Sequence, residues 1–300
     1  MTETGAARVE DLMLDRDGRG LAARRYGAHS RRTDGHALRV LALHGWLDNA
    51  MSFAPLAECL PELDLVALDL PGHGHSAHRP ARSWYHYVDY LDDALAALDA
   101  LGWERCVLLG HSLGGAVASV LAAARPEKVE RLLLIEALGP LGAKPGTAVA
   151  SLRIGLDERA TAGDKQLRVF RDISEAVAAR MRANGLSERA AGLLVKRSLM
   201  AVDGGYMWRS DPRLKIASPL RIQEGAIREW LAAIECPTLL IAADPSQPYF
   251  DVALRRERIA CVRDLREIVL PGNHHLHLEN PAPVAEAIRE FLTATAPSTA

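Results

Sequence analysis

The chain has 300 residues, 49% of them hydrophobic and 25% charged, with 36 Lys and Arg against 38 Asp and Glu and a formal net charge of −2. That size and balance suit an ordinary globular protein with a large core and exclude a disordered chain. A charge so close to zero gives no long-range attraction to nucleic acid or to an anionic membrane, and no apolar run reaches the length of a membrane span.

Met1 to Glu10 lacks the basic-then-apolar pattern of an export signal. Cys59, Cys106, Cys236 and Cys261 are scattered, with no C-x-x-C pair. Both features predict a cytoplasmic protein with free thiols. Val9–Leu14 and Gly20–Tyr26 read as two strands around the turn Asp15-Arg16-Asp17-Gly18. Arg39–Leu43 is a short apolar run ending in His44-Gly45, and Leu63–Leu68 is another, closed by Asp69-Leu70-Pro71-Gly72. Between them Ser52–Leu60 is helical in pattern, and Trp84–Leu101 is a long amphipathic helix stopped by Gly102.

Next comes Cys106-Val107-Leu108-Leu109, then Gly110-His111-Ser112-Leu113-Gly114-Gly115, then the Ala-rich helical run Ala116–Ala123. A strand, a sharp turn and a helix with serine at the apex form the Gly-x-Ser-x-Gly elbow, whose glycines leave room for a turn that a Cβ would block. Ser112 is therefore the candidate nucleophile. Leu132–Ile135 is the next buried strand, ending at Glu136. The rhythm breaks at the turn-rich Gly139–Gly146, and from Thr147 to Leu220 the pattern is helical and charged, with no strand-like run. Strands resume at Pro237–Ile241 and Glu267–Leu270, and Ala282–Leu292 is the last helix before a polar, frayed tail, Thr293–Ala300.

Apolar strands alternating with helices predict an α/β protein with a mostly parallel sheet covered on both faces. Residues 1–140 and 223–300 would form this core, and residues 141–222 a helical cap over the strand ends. Ligands bind beyond the carboxyl ends of such strands. His44, Asp69, Ser112 and Glu136 all fall there.

A serine hydroxyl needs a base, and the base an orienting acid. Three histidines follow the last strand, in Gly272-Asn273-His274-His275-Leu276-His277. His274 is the candidate base because it comes first after the Gly-Asn loop. His275 and His277 suit packing at a helix entry, and no carboxylate or cysteine completes a recognised zinc spacing, so no metal is expected. Two acids compete: Glu136, with Asp244, which follows Leu239–Ala243, as the alternative. An oxyanion hole would take backbone N–H groups of Leu113 and Trp46. His44 and the turn Asp69–Ser76 read as structural.

Taken together, His44-Gly45-Trp46, Asp69-Leu70-Pro71-Gly72-His73-Gly74-His75-Ser76, Gly110–Gly115 and Gly272-Asn273-His274 resemble, in this order, the α/β-hydrolase fold superfamily. His44-Gly45-Trp46-Leu47-Asp48-Asn49-Ala50 looks more narrowly like its serine hydrolase-like (Kraken-like) group. The resemblance implies Ser112 as nucleophile and His274 as base, ahead of His277, Glu279 and Pro281 at the family's spacing. It also departs from the common pattern. The usual acid position after the seventh strand holds Ser246, with Asp244 two residues early, whereas Glu136 matches the glutamate of a dehalogenase-like subset. Dehalogenases and epoxide hydrolases use an aspartate nucleophile, so Ser112 argues against both.

The expected activity is serine carboxylesterase chemistry on a small-molecule ester, without a cofactor. Alternatives with the same triad are a thioesterase, a lactonase, an enzyme cleaving carbon–carbon bonds beside a carbonyl, or an acyltransferase. A non-catalytic small-molecule receptor is a different class on the same fold. Phe170, Tyr206, Met207 and Trp208 are candidates to line a mainly apolar pocket. The substrate contacts themselves are not legible, and a homodimer is left open.

Overall fold

The computed structural model describes residues 9–15, 18–27, 38–162 and 168–294. Strands β1 (Val9–Leu14) and β2 (Leu21–Tyr26) form an antiparallel pair. The middle of their connecting turn, Arg16 and Asp17, lies outside the described residues, as does the tail beyond 294. The chain continues through β3 (Leu38–Leu43), a 3₁₀ turn at Ala50–Phe53, α1 (Ala54–Glu58), β4 (Leu63–Leu68), α2 (Tyr87–Ala100), β5 (Cys106–His111), α3 (Leu113–Ala124) and β6 (Val129–Ile135). Helices α4 (Ala148–Thr161), α5 (Ile173–Asn184) and α6 (Glu188–Ser198) and the hairpin β7 (Leu199–Val202) and β8 (Gly205–Trp208) follow. The chain then returns through α7 (Glu224–Ala232), β9 (Thr238–Asp244), α8 (Val252–Ile259), β10 (Leu265–Pro271), α9 (Leu276–Glu279) and α10 (Pro281–Ala294).

Eight strands make one sheet in the order β1-β2-β4-β3-β5-β6-β9-β10. From β4 to β10 every neighbouring pair is parallel. The central strands are apolar throughout because both faces are covered. On one face Leu41, Leu43, Leu108, Leu132 and Leu134 pack with Leu98 of α2, Val117 and Leu121 of α3 and Leu231 of α7. On the other, Val40, Ala42, Leu109, Leu133 and Ile135 meet Leu56 of α1 and Ile288 and Phe291 of α10. Successive residues of one strand thus join opposite layers, as a period of two requires. Each such leucine, fully buried, contributes about 1.5–3 kcal/mol.

Two expectations change. Helix α2 starts at Tyr87 rather than Trp84. The Ser83 carbonyl accepts bonds from Arg159 and Arg213, and Trp84 stacks on His86, the N-cap, outside the helix. The segment expected to lack strands holds the β7–β8 hairpin, turned by Asp203 and Gly204, where Gly204 has φ +81°. The four cysteines are free thiols, with Cys106 and Cys236 buried. No helix among the described residues is long and apolar enough to cross a membrane.

Candidate active site

The elbow folds as it does because three glycines give it no choice. A Cβ on Gly114 would lie 1.9 Å from the Leu43 carbonyl oxygen, and one on Gly110 2.4 Å from that of Gly114. A Cβ on Gly115 would press on Ala137 at 2.9 Å. Helix α3 therefore approaches the end of β3 closely enough for the Gly114 N–H to donate to the His44 carbonyl (3.0 Å). Ser112 sits at the apex with φ +52°, its N–H donating to the Ile135 carbonyl. Neither the Leu113 nor the Trp46 backbone N–H makes a hydrogen bond among the described residues.

Among the described residues three non-glycine residues have positive φ: Leu47, Ser112 and Glu136. Each follows a strand of the parallel sheet at its carboxyl end. Glu136 is 2% exposed. Its N–H donates to Ile241, and its Oε1 accepts the Ala243 N–H at 2.6 Å, both on β9. Its other oxygen, Oε2, lies 3.2 Å from Nδ1 of His274. The carboxylate only accepts, so Nδ1 carries the proton and Nε2 the lone pair. Burial lowers the His274 pKa and outweighs the opposing pull of Glu136. A neutral imidazole is the form a general base needs. Asp244, the alternative acid, is exposed at the end of β9 with no side-chain partner among the described residues. Its backbone carbonyl accepts the Gly272 N–H and so fixes the start of the histidine loop.

The Ser112 hydroxyl makes no bond to His274 in this state. Instead the Tyr249 hydroxyl stands 3.1 Å from Nδ1 and 3.3 Å from Nε2 of that ring. Burial pushes the Tyr249 pKa up to about 12, so it remains an O–H. The sequence carries no signal for this tyrosine, which sits in an irregular loop after β9.

His275 and His277 hold the loop from behind. His275 Nε2 lies 3.2 Å from Asp48 Oδ2, and His277 Nε2 2.8 Å from the Ser52 hydroxyl. The sequence offers no carboxylate at a recognised zinc spacing from these histidines. The fold supplies one, since Asp48, His111 and His275 come together in a buried group. His44 accepts the Leu70 N–H at Nε2 and bonds the Gly45 carbonyl through Nδ1, and it packs edge-on against His73 with centroids 5.0 Å apart. Burial drives His44 down to about 4 and His73 down to about 3, and His277 well below the usual range. Asp69 is a structural hub, accepting from the N–H groups of Ala50 and His75 and from Arg197 of α6.

Beside the Trp46–Leu47 corner lies a cavity of about 460 Å³. Leu47, Phe170, Val195, Trp208 and Ile216 give it an apolar wall, and Arg168, Arg180 and Lys215 add cations and Glu158 an acid. Phe170 and Trp208 stack edge to face at 5.1 Å. Tyr206 and Met207, their companions in the sequence, do not line it.

The chain matches the model of the alpha/beta hydrolase fold family over residues 39–281. It is 31% identical to a serine hydrolase-like protein of Dictyostelium discoideum, across 85% of this chain and 74% of that one. It is 30% identical to a serine hydrolase-like protein of Danio rerio, across 87% and 83%. Among solved structures, a hypothetical protein of Pseudomonas aeruginosa superposes with a TM-score of 0.86 at 39% identity, covering 96% of this chain and 98% of that one. The thioesterase domain from the curacin biosynthetic pathway superposes with a TM-score of 0.81 at 26% identity, covering 94% and 99%.

Proposed function

The chain belongs to the α/β-hydrolase fold family, within its serine hydrolase-like group, and from that premise we propose that it hydrolyses carboxylic esters with Ser112, His274 and Glu136 as a catalytic triad. The observation that carries the reading is the Glu136–His274 bond, which holds the proton on Nδ1 and leaves Nε2, 3.3 Å from the Tyr249 hydroxyl, as the basic nitrogen, while Ser112 follows β5, the strand next to the one that Glu136 follows. Ser112 Oγ attacks the ester carbonyl carbon while Nε2 of His274 takes its proton. Glu136 steadies the imidazolium that forms. The Trp46 and Leu113 N–H groups receive the negative oxygen of the tetrahedral intermediate. That intermediate collapses, and the alcohol leaves with the proton from Nε2. Water, deprotonated by the same nitrogen, then cleaves the acyl-enzyme and releases the acid.

Residues 141–222 act as a cap in this reading, and the cavity beside Leu47 takes the acyl or alcohol chain, its volume falling in the range of small-molecule sites. A thioester is the second substrate class. Three cations, Arg168, Arg180 and Lys215, outnumber the one acid, Glu158, on the cavity wall, a balance that suits an anionic carrier even with Arg168 paired to Glu175 and Arg180 to Asp48, and the likeness to a thioesterase domain points the same way.

The test compares wild type and Ser112→Ala on p-nitrophenyl esters from acetate to laurate and on an acyl thioester. Turnover by wild type with a loss of about 10⁴-fold or more in the variant supports the triad. Equal turnover refutes Ser112. No turnover by either, with tight binding of a small molecule, favours a receptor. Faster acyl release with an added alcohol identifies an acyltransferase.

A further inference from the structure

The residue before the nucleophile, His111, is fully buried, yet the mechanism leaves it unused. Its Nε2 is 2.8 Å from the backbone carbonyl of His274. A carbonyl only accepts, so this nitrogen must be the donor. His111 ends β5, and so one hydrogen bond spans the elbow and the histidine loop, 163 residues apart in sequence. The opposite nitrogen, Nδ1, lies 3.6 Å from Asp48 Oδ2 and makes no hydrogen bond, so these two side chains meet by packing. The same carboxylate oxygen meets His275, and its twin, Oδ1, bonds Arg180 of α5. Gly45 makes room, since a Cβ there would lie 2.9 Å from His111 Nδ1.

The α5–α6 pair grips the histidine loop at two further points. Ser187, the N-cap of α6, donates to Glu279 through both its N–H and its hydroxyl. Arg189 donates to the carbonyls of Leu278 and Glu279. Leu278 itself is buried against Leu186, Ala190 and Leu194. Arg180 also lines the cavity, so a ligand there touches one end of the chain of contacts.

We infer that His111 is a positioning residue: it holds the backbone of His274 to the elbow, while Asp48, packed against it and bonded to both His275 and Arg180, links the same loop to the α5–α6 pair, so that the seating of these helices sets where the imidazole stands relative to Ser112. The kinetic part of this inference rests on the ester-hydrolase reading. Occupation of the cavity through Arg180 then reaches the histidine loop through Asp48 and His275. A displacement of the imidazole by about 1 Å is enough to lower a rate 10²-fold.

Two measurements test it, and one needs no turnover. Hydrogen–deuterium exchange of the 272–279 segment is followed in wild type, Arg180→Met, His111→Leu and His111→Gln. Arg180→Met and His111→Leu should speed exchange there, and His111→Gln, whose amide N–H can replace the Nε2 donor, should restore protection. In parallel, His111→Leu should lower kcat by about 10²-fold with KM unchanged, and His111→Gln should recover most of it. Exchange in 272–279 that does not respond to Arg180→Met or His111→Leu overturns the inference. So does equal loss in both His111 variants, which would mean a merely structural core residue. If wild type hydrolyses no ester, the hydrolase reading fails, and the exchange measurement still decides this one.

Discussion

Acidification should unfold this protein well above the pH at which its carboxylates titrate. Three histidines, His44, His73 and His277, are buried and held neutral by desolvation. In the unfolded chain each titrates near 6.5. Their folded values lie below that, so between the two the unfolded state binds more protons and stability falls as pH falls. Stability is complete above the unfolded value and declines below about pH 6.5, until the folded values are reached at about 4 for His44 and about 3 for His73. Three protons give a slope of about 4 kcal/mol per pH unit, and the loss between pH 7 and pH 5 is about 6 kcal/mol. That rivals the whole stability of an ordinary domain, about 5–15 kcal/mol. Urea titrations at pH 7, 6 and 5 read it directly. His277→Gln keeps a donor or acceptor for Ser52 and removes one proton, and it should cut the loss by about 2 kcal/mol whatever its effect at pH 7. A stability that is flat from pH 7 to 5, or an unchanged slope in His277→Gln, would refute the reasoning.

Glu136→Gln should lower kcat by about 10³–10⁴-fold while Asp244→Asn leaves it near wild type. The glutamine oxygen will keep the Ala243 N–H, turning the amide N–H₂ toward Nδ1 and forcing the imidazole into the wrong tautomer; steady-state kinetics of both variants decide, and a collapse only in Asp244→Asn reverses the assignment. The acid limb of kcat/KM should fall below pH 6.5, because burial lowers the His274 pKa and activity is lost only once the ring is protonated; a pH profile breaking above 6.5 contradicts this. Gly114→Ala should cost about 3 kcal/mol and most of the activity, since its Cβ meets the backbone of Leu43 rather than a side chain that can yield; thermal unfolding and ester turnover check both parts.

The sequence announced the elbow because its glycines answer to local sterics: where Gly110 and Gly114 stand, nothing larger fits. The central strands were equally legible, since burial on both faces leaves an unbroken apolar run. The choice between Glu136 and Asp244 was not, because each simply ends an apolar strand. The difference lies in which carboxylate the last loop reaches across the sheet. Asp48, His111 and Arg180 were invisible for the same reason, since 132 residues separate Asp48 from its arginine. The β7–β8 hairpin is a different failure. Its Asp203-Gly204-Gly205 turn signal was present, but the helical periodicity of α6 ran on into Leu199–Val202 and masked the change of period.

The left-handed backbone at Leu47, Ser112 and Glu136 has an evolutionary consequence. A side chain in that region costs roughly 1–2 kcal/mol, so the three together withhold on the order of 3–6 kcal/mol from the fold. Glycine at any of them would relax the chain. A lineage released from selection for its chemistry, but still selected for abundance, would therefore drift first at these corners. It would keep its sheet and its core while becoming sturdier and inert.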